Sequence, residues 1–383
     1  MELKEYRFDE VTINFDKKRV PLSGAQREKR QGDFRYYGAQ GVIDHIDDFI
    51  FDGTYLLIAE DGENLKSKKQ NIAQVVEGQF WVNNHAHIVQ GNELCNTRYL
   101  CYLLNSMDLS GYVTGSAQPK LSQANLNAVT LFLPSITVQE RIVECLYLFD
   151  KKIAVNQKIN DNLQQQAAAI FRSWFVDCAP FGGKAPDEWE NVTLEDITAL
   201  VSRGITPKYA DDTDQIVINQ KCIRNHMIDL SLARTHTPKV INEKWLRFGD
   251  LLINSTGDGT LGRAAQVWFQ PKNLTVDSHV TIVRPAKENL IFYIGLWGIL
   301  HEKEIESLHT GSTGQTELPR DRVKTMELRL PDNDTLDRFN ALITPMAAAI
   351  VANQEENNRL AALRDAILPK LMSGEIDVSG INL

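Results

Sequence analysis

Between positions 17 and 35 the sequence sets Lys17, Lys18, Arg19, Arg27, Lys29, Arg30 and Arg35 against only Glu28 and Asp33, and Tyr36, Tyr37 and Gln40 follow. A second basic stretch, Lys221, Arg224, Arg234, Lys239, Lys244 and Arg247 with His226 and His236, faces only Asp229 and Glu243. Side chains of this kind neutralise phosphate; Arg and Lys also read guanine, as Asn and Gln read adenine. The candidates are Arg30, Arg35 and Tyr37 from the first stretch and Lys221, Arg224 and Arg234 from the second. Two Gly-containing loops, 114–120 and 310–315, are the preferred places for base contact. Glycine lets the backbone approach closely, and Ser116, Gln118, Lys120, Ser312, Thr313 and Gln315 supply polar groups there. Asn84-His85 and Ser278-His279 also recur, and read as packed strand residues.

No catalytic spacing accompanies these side chains. Gly182-Gly183-Lys184-Ala185 lacks both the spacing and the hydroxyl of a phosphate-binding loop. An Asn/Asp-Pro-Pro-aromatic run and a Gly-x-Gly-x-x-Gly after a strand are both missing. Asp187 and Glu188 have no following Glu-x-Lys, so a nuclease centre is not indicated. We assign no catalytic residue and no metal site. Cys95, Cys101, Cys145, Cys178 and Cys222 fit neither a zinc site nor a disulfide framework and read as reduced thiols of a cytosolic protein.

The elements that must position such residues follow from an internal repeat. Shifted by about 196 residues, the chain falls on itself. Gly53-Thr54-Tyr55-Leu56-Leu57-Ile58 meets Gly249-Asp250-Leu251-Leu252-Ile253-Asn254, and Asp61-Gly62 meets Asp258-Gly259. Further along, residues 82–89 meet 276–283, Thr114-Gly115-Ser116 meets Thr310-Gly311-Ser312, and Leu133-Pro134 meets Leu330-Pro331. Within each unit, β-branched and aromatic runs such as 49–58 and 79–89, set between Gly, Asn and Asp clusters, predict strands. Short helices are expected at 97–105 and 290–300.

After each Leu-Pro the apolar spacing changes to alternating fours and threes. Ile142, Leu146, Phe149, Ile153, Asn156, Asn160, Leu163, Ala167, Ile170 and Trp174 make one coiled-coil seam. Phe339, Ile343, Met346, Ile350, Asn353, Asn357, Leu360, Arg364, Ile367 and Leu371 repeat it. Asparagine in a seam costs stability but fixes register, and antiparallel helices would set Asn156 by Asn357 and Asn160 by Asn353.

Composition is that of a globular chain of two or more domains: 383 residues, 43% hydrophobic and 24% charged. With 41 Lys plus Arg against 50 Asp plus Glu, the formal charge is -9, so any polyanion-binding surface must be local. The Met1-Glu2-Leu3-Lys4-Glu5 start has no apolar signal core and no run approaches the roughly 20 residues that span a bilayer, so a cytoplasmic protein without membrane contact is expected.

Over essentially its whole length the chain resembles a specificity subunit of a type I restriction-modification system. The resemblance is carried by residues 111–121, then Leu131-Phe132-Leu133-Pro134 and Gln139-Glu140-Arg141-Ile142, by the second copy from His309 through Leu330-Pro331, and by the helix ends 170–175 and 367–376. The second copy lacks the Gln-Glu-Arg helix start. The first body lacks the Pro186-Asp187-Glu188-Trp189 opening of the second, so the edge of its first strand is expected to be built differently.

The resemblance implies an α+β fold with pseudo-twofold symmetry, in which two strand-rich target-recognition domains are each followed by a long helix and the helices pair as an antiparallel coiled coil. The expected boundaries are 1–134 and 179–331 for the two domains, 135–178 and 332–376 for the helices, and 377–383 for a tail. Each domain would read one half of a split double-stranded DNA site, spaced by helices roughly 50 Å long against about 34 to 36 Å per DNA turn. Methyl transfer with S-adenosylmethionine would then belong to separate modification subunits, and cleavage with ATP and Mg to separate restriction subunits. No cofactor is expected on this chain. A self-contained methyltransferase or nuclease is opposed by the missing motifs, and a protein- or glycan-binding scaffold would lack salt-dependent DNA affinity.

Overall fold

Strand-forming runs in the first body assemble around Phe51–Ala59, whose Leu56, Leu57 and Ile58 are fully buried. The six-stranded sheet runs Thr12–Asn14, Ala86–Gly91, Phe51–Ala59, Ala73–Val82, Gln31–Gly38, Gly41–Ile46. All neighbours are antiparallel except Gln31–Gly38 on Ala73–Val82. The run 79–89, expected as one strand, is two: it breaks at residues 83–85, where Asn83 Oδ1 accepts the His85 N–H at 2.8 Å. Such Asx geometry turns the chain back on itself. The computed structural model describes residues 2–67, 70–115, 118–257, 259–311 and 316–378.

A two-stranded ribbon, Lys4–Arg7 on Thr130–Leu133, closes the start of this body against its end. The second body has the same ribbon, Glu190–Thr193 on Glu327–Leu330. The first strand's edge is therefore built alike in both, contrary to the expectation from the missing Pro-x-x-Trp. Trp189 is instead packed against Phe175 and Phe181, just past the first long helix.

The second sheet runs Thr198–Arg203, Val280–Pro285, Leu251–Asn254, Ala264–Gln266, the same order as the first four strands of the first sheet. The helices Thr97–Ser106 and Ile291–Leu300 are also counterparts. The repeats diverge in one connection. Residues 15–50 carry the hairpin of Gln31–Gly38 and Gly41–Ile46, whereas residues 204–250 carry the short strands Ile216–Ile218, Ile223–Arg224, Met227–Ile228 and Arg234–Thr235.

The long helices are Ile136–Phe171, 36 residues, and Asn333–Ser373, 41 residues. By contacts the chain divides into Met1–Ile153 with Arg359–Leu383, and Ala154–Asn358, so the division passes through both helices rather than at 134, 178, 331 and 376. The cause is apolar. Ile142, Leu146, Leu371 and Met372 complete the core of the first unit, while Ala167, Phe171, Phe339, Ile343 and Ile350 complete that of the second.

Within the second unit Asn156 Nδ2 donates to Asn357 Oδ1 at 2.9 Å and to Glu356 Oε2 at 2.7 Å, and Asn353 Nδ2 donates to Asn160 Oδ1 at 2.8 Å. The higher-numbered residue of one helix meets the lower-numbered of the other, so these segments run antiparallel. Phe149, Ile153, Leu163 and Leu360 are half-buried along the same seams. In the first unit Arg364 replaces an apolar seam residue and reaches Asp150 Oδ1 at 2.5 Å, with Tyr102 donating to the other oxygen of that carboxylate.

Candidate nucleic-acid interface

Each body ends its central strand in a turn that grips the base of one Gly-containing loop. In the first unit Thr114 and Lys120 exchange backbone hydrogen bonds of 2.8 Å, and the Leu121 N–H donates to the Glu60 carbonyl at 2.8 Å. In the second, Thr310 and Glu317 exchange bonds of 2.8 and 2.9 Å, and the Leu318 N–H donates to Ser255 O at 2.8 Å. His85 Nδ1 lies 2.7 Å from Asp61 Oδ2, and His279 Nδ1 lies 2.7 Å from Thr256 Oγ1. Both histidines sit in turns rather than on strands. The structure thus matches Asp61 with Thr256; Asp258, its partner in the sequence repeat, lies outside the described residues.

The chemistry beneath the two loops differs. Below the first, His87 is buried with Nδ1 2.6 Å from Asp16 Oδ2 and Nε2 2.8 Å from Leu121 O. Arg19 spans Asp16 at 3.4 Å and Glu60 at 3.0 Å, and Glu60 meets Lys120 at 3.3 Å. Burial raises the Asp16 carboxyl, but bonds from His87 and the Ile88 N–H, with the nearby positive charges, outweigh it and hold the group below its usual range. Below the second, Ser255 and Thr281 form a neutral buried pair at 2.6 Å and Arg203 reaches Glu317 at 2.5 Å.

The first basic stretch is largely consumed by the fold. Arg27 pairs with Asp44 at 2.8 Å, and Arg30 pairs with Asp47 at 2.8 Å while lying over the Trp81 ring. Arg35 donates to the Glu77 carbonyl at 2.6 Å and lies over Tyr37. Tyr37 itself is only 5% exposed, edge-on to Phe80, and burial raises its phenol. Tyr37 is therefore a core residue, not an accessible contact, because its strand faces the sheet's packed side at that position. Arg30 and Arg35 likewise act first as intramolecular partners.

Gln118 and Lys120 are exposed at the first loop. Ser116, Ser312, Thr313 and Gln315 lie outside the described residues. In the second unit Lys221 and Arg224 are exposed, and Arg234 stacks over Tyr209 at 3.6 Å. Asn219 draws these together: its side chain accepts from the Lys221 N–H at 2.9 Å and donates to Leu232 O at 3.1 Å. Sequence reasoning passed over Gln220, whose Oε1 accepts from Thr256 Oγ1 at 3.0 Å. Its position beside Lys221 in a turn-rich, basic stretch was the available signal.

Among the described residues no cluster of His, Cys, Asp and Glu is arranged to hold a metal ion, and no helix is long and apolar enough to cross a membrane. The family of the type I restriction modification DNA specificity domain matches residues 2–165. A Haemophilus influenzae protein named as a putative type I restriction enzyme specificity subunit is 25% identical over 94% of this chain and 94% of its own. The MjaIX specificity subunit of Methanocaldococcus jannaschii is 27% identical, covering 74% of this chain and 69% of that protein. The crystal structure of a type I restriction-modification S subunit from M. genitalium superposes with a TM-score of 0.56 at 12% identity, covering 97% of this chain and 96% of that one, a likeness of fold.

Proposed function

We propose that this chain is a specificity subunit of a type I restriction-modification system, as the matched specificity domain and the similar subunits support, and that its two bodies each read one half of a bipartite, asymmetric DNA site. The chain is the non-catalytic, sequence-recognising component of such a system. The observation that carries the bipartite reading is the duplicated loop anchorage. The same strand order and the same turn-to-loop bonds recur with different side chains, Asp61, Glu60 and Lys120 in one body and Thr256, Ser255 and Glu317 in the other. Equal scaffolds with unequal chemistry are what recognition of two unlike half-sites requires.

In this reading the exposed Gln118, Lys120, Lys221 and Arg224 face DNA, Arg234 helps to hold the second surface, and Ser116, Ser312, Thr313 and Gln315 complete the loops. Modification subunits carrying S-adenosylmethionine methylate adenine at the site, and restriction subunits using ATP and Mg cleave unmodified DNA. The test is methylome sequencing of the host with this gene intact and deleted. Deletion should abolish methylation at one split motif with a fixed spacer; a methylome that keeps every motif would overturn the proposal.

A further inference from the structure

The connection that differs between the repeats delivers the same side chain to the same place. In the first body Gln40, at the tip of the hairpin Gln31–Gly38 and Gly41–Ile46, lies against Gly62 of the turn that follows the central strand. In the second, Gln220 from the short helical turn Gln220–Cys222 lies against Gly257 of the equivalent turn. A Cβ at Gly62 would stand 3.1 Å from Gln40 Nε2, and one at Gly257 would stand 2.9 Å from both amide atoms of Gln220. Both glycines have positive φ, +129° and +102°, so a side chain is disfavoured there on two counts.

Among the described residues each amide is held by one bond and keeps the rest of its capacity. Gln40 Nε2 reaches Asn64 Oδ1 at 3.5 Å, and Asn64 is itself buried and donates to Asn71 O at 3.2 Å. Gln220 Oε1 takes the Thr256 hydroxyl, while the buried Asn254 donates to the Gln220 carbonyl at 3.0 Å and fixes its backbone. An amide has two donor hydrogens and two acceptor lone pairs. One bond apiece therefore leaves at least one donor and one acceptor on each glutamine. That pair is the complement of adenine N7 and N6 in the major groove.

We propose that Gln40 and Gln220 are specificity-determining residues, one for each half-site, each reading an adenine. The inference rests on the DNA-recognition reading above and adds to it which residues read bases. Two unrelated backbone paths converging on one amide position make an accidental surface glutamine a poor account of either. Lys120 bridges through its backbone to Asp61, next to Gly62, and Lys221 follows Gln220 in the same short turn, so each body offers a cation for flanking phosphate near the turn that carries its glutamine.

The test uses the full chain with its partner subunits in the host. Genes encoding Gln40→Ala and Gln220→Ala replace the wild type, and the methylomes are compared. Each variant should turn one A·T pair of one half-site degenerate, with discrimination at that pair falling roughly tenfold or more, while the other half-site stays intact. Should a variant lose all methylation, the purified complex is titrated with duplexes altered at each pair in turn. Loss of preference at a single A·T pair supports the proposal, and wild-type discrimination at every pair overturns it. A wild-type strain with a split motif and variants with that motif unchanged would refute the assignment of these glutamines alone. A wild-type strain whose methylome does not depend on this gene would refute the function and this inference with it.

Discussion

At the scale of single residues, the repeat exposes one titratable difference with a consequence for stability. Asn83 and Asp277 occupy matched turns, where Asn83 Oδ1 accepts the His85 N–H at 2.8 Å and Asp277 Oδ1 accepts the His279 N–H at 2.9 Å. Asp277 is 3% exposed, and burial holds its carboxyl above the usual range despite that bond and the nearby His279. The folded state therefore holds the proton more tightly than the unfolded one, so stability falls as pH rises from the ordinary carboxyl range through the raised pKa. Asp277→Asn keeps the acceptor and removes the charge. The variant should melt higher at pH 7 and lose its advantage on acidification towards about pH 4, the ordinary carboxyl range, as followed by thermal denaturation; a wild-type melting temperature at pH 7 would contradict the burial account. The burial of Tyr37 and the intramolecular partners of Arg30 and Arg35 belong to this scale too. Asp47, Glu77 and Phe80 lie far along the chain from them, and a run of cations does not reveal which partners folding will bring.

The long helices were legible because their signal is periodic and extends over many turns. Alternating spacings of three and four, broken twice by asparagine in each copy, are enough by themselves to specify which residues meet. The asparagine pairs 156 with 357 and 160 with 353 are the pairs the structure contains. Asn156 is fully buried and Asn160 6% exposed, so each pairing gives a partner to an amide group shut away from water, while Asn156 Oδ1 itself finds none among the described residues. Asn156→Leu alone leaves Asn357 short of its donor and should cost about 1–3 kcal/mol. Replacing Asn156, Asn160, Asn353 and Asn357 together by Leu should instead raise the melting temperature while admitting extra oligomers, since apolar seams are stronger but less selective. Calorimetry with sedimentation velocity separates the cases; a quadruple variant less stable than the single one would sink the register role. The strands were less legible. The run 79–89 reads as continuous until Asn83 folds back on His85, and the four-residue ribbon strands are too short to carry a period. The divergent connections 15–50 and 204–250 were least legible, because their convergence on Gly62 and Gly257 is a tertiary fact.

For the whole molecule, a formal charge of -9 has to be reconciled with a polyanionic ligand. The fold does so by subtraction. Arg19, Arg27, Arg30, Arg203 and Arg284 are spent on carboxylates, leaving cations such as Lys221 and Arg224 for which no ion pair is found among the described residues. Arg284 is the extreme case, buried with two bonds to Asp250 and two more to the carbonyls of Glu243 and Trp245. Binding to random DNA should accordingly be weak and its salt dependence shallow for a chain of this size, since the slope of log K against log salt counts the phosphates neutralised. Affinity for the specific site must then come from base contacts and from partner subunits. The two classes of cation separate experimentally in the assembled complex. Lys221→Ala should weaken binding about equally on specific and random duplexes and reduce the salt slope by about 1, with the melting temperature unchanged. Arg30→Ala should leave the slope alone and lower the melting temperature, because it breaks a partly buried pair and the stacking on Trp81. A salt titration in which Arg30→Ala changes the slope and Lys221→Ala does not would invert the assignment and put the DNA-facing charge on the first stretch.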